Sequence, residues 1–97
     1  VKIIEIKEME NCFDGDFMKD VLFDSEITSD FIQHMGNFGE LQYFPSFARP
    51  FFRVDVPDKI IIKGIEGNKN MRLYLSRNDI NGSLEFFESI VSEFPHS

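Results

Sequence analysis

One cysteine, no tryptophan and no apolar run longer than three residues set the first limits on this 97-residue chain. With Cys12 alone there is no internal disulfide, and the composition points to a reducing compartment, with the cytoplasm as the default location. The longest apolar runs, such as Ile60-Ile61-Ile62, fall far short of the roughly 20 residues that cross a bilayer. The first residues intersperse Lys2, Glu5, Lys7 and Glu8 with isoleucine, unlike the apolar stretch of a secretion signal. No repeat, low-complexity tract or Pro/Ser-rich linker divides the sequence, so it is read as one domain over residues 1–97.

Chemistry-bearing motifs are also scarce. Asp14, Asp16, Asp20 and Asp24 suggest a calcium loop, but counting from Asp14 puts Met18, Lys19 and Ser25 where that loop needs a ligand, a glycine and a glutamate. Cys12, His34 and His96 lack metal-ligand spacing, and nothing cationic adjoins Cys12 to activate its thiol. Gly36–Gly39 and Gly64–Gly67 lack the strand-to-helix setting of a phosphate loop and read as turns needing positive φ. No set of nucleophile, acid and base can be assembled, so the reading leans away from an enzyme and implies neither cofactor nor metal.

What is present is phenylalanine, twelve of them, in a chain that is 42% hydrophobic, enough for one core. Residues 2–6 read as a strand, although Ile4 interrupts the alternation. Turn residues fill Asn11–Asp16. Phe17, Val21 and Leu22 suggest a short helix over 16–23. A second helix begins after Asp24 or Ser25 as cap, carries Ile27, Phe31, Ile32, Met35 and Phe38 at helical spacing, and stops at Gly36 and Gly39.

From Leu41 the period becomes two. Leu41, Tyr43, Pro45 and Phe47 alternate with their neighbours, as do Phe52, Val54 and Val56. Strands follow over Lys59–Lys63 and through Met71, Leu73 and Leu75, with turns at Pro57-Asp58 and Gly67-Asn68. Leu84, Phe87, Ile90, Val91 and Phe94 form the stripe of a final helix, with Glu85 and Glu88 in its first turns and Pro95 as its stop. Such short links require antiparallel pairing. The expected fold is α+β: an antiparallel meander of three to five strands with two or three helices packed on one face.

The net charge of −7 is unevenly spread. Residues 49–77 hold seven of the ten bases against three acids, whereas residues 78–97 hold four acids and no base. If Phe52, Val54, Ile60, Ile62, Met71, Leu73 and Leu75 face the helices, the other face carries Arg49, Phe51, Arg53, Lys59, Ile61, Lys63, Arg72 and Tyr74. Three readings compete for that cationic, ring-bearing surface: long side chains solvating an open sheet, a docking face for a protein partner or a second copy, and a site for a small anionic ligand. Nucleic acid is disfavoured by the acidic remainder, and a membrane is not implied. The segment Tyr43–Arg53 packs five rings, two prolines and two arginines into eleven positions. Core filling accounts for some of these rings, and a contact surface or a pocket rimmed by Arg49 and Arg53 for the others.

The leading expectation is a non-enzymatic interaction domain that docks a partner through Arg49, Phe51, Arg53, Lys63, Arg72 and Tyr74. The alternatives are a small carrier or enzyme with a pocket lined by Tyr43, Arg49 and Arg53, and an accessory subunit of a larger complex.

Overall fold

Alternation along three consecutive strands decides which side of the sheet is closed. In the computed structural model, which describes residues 2–8, 18–76 and 78–94, the elements run β1 (Ile3–Glu8), β2 (Met18–Phe23), α1 (Ser29–Gly36), β3 (Glu40–Phe44), β4 (Phe51–Val56), β5 (Ile60–Ile65), β6 (Asn70–Leu75) and α2 (Ile80–Glu93). Phe52, Val54 and Val56 on β4, Ile60 and Ile62 on β5, and Met71, Leu73 and Leu75 on β6 are buried, while the residues between them are not. Both helices contribute to the same core through Phe31, Ile32, Met35, Phe87, Ile90 and Val91. The architecture is therefore two-layered, α+β, with two helices against one side of the sheet.

The sheet has six antiparallel strands in the order β1-β2-β6-β5-β4-β3, more than the three to five expected. Strands β3 to β6 form the anticipated meander. The extra strand is β2, which pairs with β1 and joins it to the free edge of β6 through a pairing of Met18 with Tyr74 and Asp20 with Arg72. The expected helix over 16–23 is instead strand β2 where the residues are described. Val21 and Phe23 turn inward and Asp20 and Leu22 outward, so the pattern has a period of two. Two flanking strands supply its backbone partners, a long-range condition that overrides local helical spacing. The break in alternation at Ile4 is a β-bulge: pairing passes from Ile3↔Phe23 to Glu5↔Leu22, leaving Ile4 the unopposed residue and 60% exposed.

Each turn has a local cause. Asp58 (φ 62) and Gly67 (φ 93) occupy the third position of the β4–β5 and β5–β6 turns, closed by Lys59 N–H to Val56 C=O and Asn68 N–H to Ile65 C=O. Gly36, Gly39 and Gly64 are not in the positive-φ region, contrary to the sequence expectation. Gly39 and Gly64 serve close approach instead. A methyl group on Gly39 would sit 2.5 Å from the Asp55 carbonyl oxygen, and one on Gly64 2.8 Å from the Phe52 ring.

The cap of α1 also shifts from its expected position. Thr28, not Asp24 or Ser25, caps α1 by accepting the Phe31 N–H, and Asp79 caps α2 by accepting the Gly82 N–H. Strand β3 stops at Phe44 rather than continuing to Phe47, because Pro45 has no N–H for the ladder. Ser83, buried at the start of α2, donates to the Lys59 carbonyl (2.7 Å) and accepts from the Ser76 N–H (3.1 Å). His34 joins the two helices through a 2.7 Å hydrogen bond between Nε2 and the Ile90 carbonyl. The stretch Asn11–Asp16, Cys12, Pro95 and His96 lie outside the described residues.

Candidate binding face

The side of the sheet away from the helices is built from the same strands, one residue out of step. Cross-strand register fixes its contents. Arg53 on β4 stands opposite Lys63 on β5, and Lys63 stands opposite Arg72 on β6, so three cations occupy adjacent strands in one row. Neighbouring strands lie about 4.8 Å apart, which brings the three stems side by side. Like charges directly opposite each other destabilise a sheet, by roughly a few tenths of a kcal/mol per pair. Such a row runs against local preference.

The three cations differ in how far they are compensated. Arg53 reaches Asp55 two residues along its own strand, Nη2 to Oδ2 3.5 Å. Both side chains are about one-third exposed, so solvent screens the pair and it contributes little. Lys63 places its Nζ 5.0 Å from the centroid of the Tyr74 ring, a cation–π contact across the diagonal of the ladder. Arg72 is exposed and stands opposite Asp20 on β2, but the Asp20 carboxylate instead accepts a 3.4 Å hydrogen bond from Asn70. Among the described residues, no carboxylate lies within ion-pair distance of Lys63 or Arg72.

Beside the cationic row runs a ladder of rings. Phe44 and Phe51, cross-strand partners, stack with centroids 5.3 Å apart and planes 2° from parallel. Phe47, beyond the Pro45 turn, stacks on Phe44 from the other side at 5.3 Å. Phe47 is 57% and Phe44 38% exposed, so hydrophobic rings stay in contact with water here. Of the five rings between Tyr43 and Arg53, Phe52 lies in the core and Tyr43 packs against it, while the other three form this ladder.

Two shallow depressions flank Lys63 and Tyr74. One, of about 330 Å³, lies toward the β4–β5 turn at Asp55, Asp58 and Ile61. The other, of about 290 Å³, lies toward Phe51, Asn70 and Arg72.

Of the residues expected at the site, Phe51, Arg53, Lys63, Arg72 and Tyr74 share this face. Arg49 does not stand on a strand: it is exposed in the β3–β4 connection. Lys59, expected beside them, lies in the β4–β5 turn. The expected cavity shared by Tyr43, Arg49 and Arg53 is not assembled, because Tyr43 pairs with Phe52 on the helix side whereas Arg53 pairs with Gln42 on the open side. Tyr43 donates its hydroxyl proton to Glu66, and that bond to a carboxylate raises its pKa, with burial adding to the effect.

Sequence reading missed four components of the face. Phe44 and Phe47 were assigned to a strand running past Pro45, and Asp20 was hidden in a segment read as helix. Asn70 precedes the alternating stretch that marks β6. The face is also less uniformly basic than expected, since register adds Asp20, Asp55 and Glu40. No group of three or more His, Cys, Asp or Glu side chains able to hold a metal comes together among the described residues. No helix among them is long and apolar enough to cross a membrane. Compared with known protein families, curated proteins and solved structures, the chain matches none.

Proposed function

We propose that this chain is a non-enzymatic interaction domain that docks a protein partner on its open sheet face, in the simplest case a second copy of itself. The observation that carries this reading is the cross-strand row Arg53–Lys63–Arg72 beside the exposed Phe47–Phe44–Phe51 ladder. Partner surfaces favour aromatic anchors, which bury much area at low conformational cost, with arginine nearby. The row would steer an acidic partner and set its orientation, and the ladder would supply the apolar contact.

Light scattering after size exclusion, from low to high micromolar concentration, tests the self-docking version. A mass rising above 11.3 kDa is the expected result. Arg53→Glu with Arg72→Glu should then lower it, as should added salt, which screens exposed charges beyond about 8–10 Å. A strict monomer leaves only a different partner, and insensitivity of partner capture to both the double reversal and Phe47→Ser removes the face from the interaction.

A further inference from the structure

The depression between Phe51, Lys63, Asn70, Arg72 and Tyr74 has features that a flat docking surface does not require. Two cations at paired positions of neighbouring strands, Lys63 and Arg72, line it, and neither has a carboxylate within ion-pair distance among the described residues. Lys63 is held over Tyr74, so its ammonium is partly oriented before any ligand arrives. Arg72 presents a fork of N–H donors that suits paired oxygens. Asn70 adds an amide on the same rim, and the rings of Phe51 and Tyr74 border it with apolar surface. One acid, Asp20, also borders the depression; its carboxylate accepts from Asn70.

The geometry points to a subsite for a phosphate-type dianion carried on an aromatic or apolar group. Two cations at directly opposed positions of neighbouring strands are satisfied together by one doubly charged group, which offsets the like-charge opposition of Lys63 and Arg72. A single carboxylate neutralises only one of them. The flanking rings give the group bearing the phosphate a surface to lie against. This subsite shares the open face with the docking reading but does not depend on it, since a strict monomer can hold a small anion.

Amide-resolved NMR titration of the full chain at pH 7.5 tests it, with inorganic phosphate and phenyl phosphate as probes and sodium chloride at matched ionic strength as control. Saturable shifts centred on Lys63, Gly64, Asn70, Arg72 and Tyr74 are expected for both phosphates and not for chloride. Phenyl phosphate should bind several-fold more tightly than phosphate. Lys63→Gln with Arg72→Gln should weaken both at least tenfold, and Asp20→Asn should tighten both. Shifts that fail to saturate, that chloride reproduces, or that survive the double substitution in a folded protein overturn the site. Equal affinity for the two phosphates overturns its apolar half.

Discussion

On β4, β5 and β6 the two faces of one sheet differ by a single residue step. Phe52, Val54, Ile62 and Leu73 are fully buried, while their chain neighbours Arg53, Lys63, Arg72 and Tyr74 stay in contact with water. Hydrophobic burial governs the first face and leaves no freedom in register, because a one-residue slip would exchange the two sets. The second face is under no such constraint, so like charges and bare rings can persist there. The contrast teaches that the closed face carries stability while the open one is free to be specialised.

The sharpest way to break that contrast is Phe52→Ala, which empties the centre of the core and should cost about 3–5 kcal/mol in urea unfolding. A loss below 1 kcal/mol would show that the closed face is not tightly packed. Gly64→Ala probes the same face more gently. Its new methyl meets the Phe52 ring at 2.8 Å, and the overpacking should cost about 1–3 kcal/mol. On the open face, Arg72→Gln should alter stability by no more than about 0.5 kcal/mol, toward a gain at low salt as the opposition to Lys63 is relieved. A large loss there would mean that the row is structural.

The smallest effect is a pH dependence. The folded-state pKa of Tyr43 lies above its unfolded value near 10. Its contribution is therefore complete below about pH 10 and is lost as pH rises through the folded pKa. Alkaline unfolding of Tyr43→Phe should lack that component, and identical profiles would remove the Glu66 bond from the account.

The contrast between faces also explains how far the sequence could be read. Phe52, Val54, Ile60, Ile62, Met71, Leu73 and Leu75 were assigned to the helix side by alternation alone, and all of them are buried. Period-two patterning is local, so it survives in a single sequence. Strand β2 is different. Its identity depends on β6 accepting it some fifty residues later in the chain, and Phe17, Val21 and Leu22 mimic helical spacing at short range. The bulge at Ile4 was visible as an irregularity but not as its cause, since the cause lies in the partner strand. The cationic row was partly legible: strand parity placed Arg53, Lys63 and Arg72 on one side, but their direct opposition required the register of both hairpins. The phenyl ladder depended on where Pro45 ended β3, which propensity alone leaves open.

Placing the helices on one side only has a consequence for self-assembly. Acidic Glu85 and Glu88 are exposed on α2, which carries no basic residue, and they lie on the opposite flank from the arginines. Were unlike charges alone to drive copies together, each molecule would present an unused end of either sign, and growth would continue head-to-tail instead of terminating. A closed twofold pair would instead bring like flank to like flank, so its charge matching would have to come from within the open face itself, with Arg53 and Arg72 of one copy set against Asp20, Glu40 or Asp55 of the other.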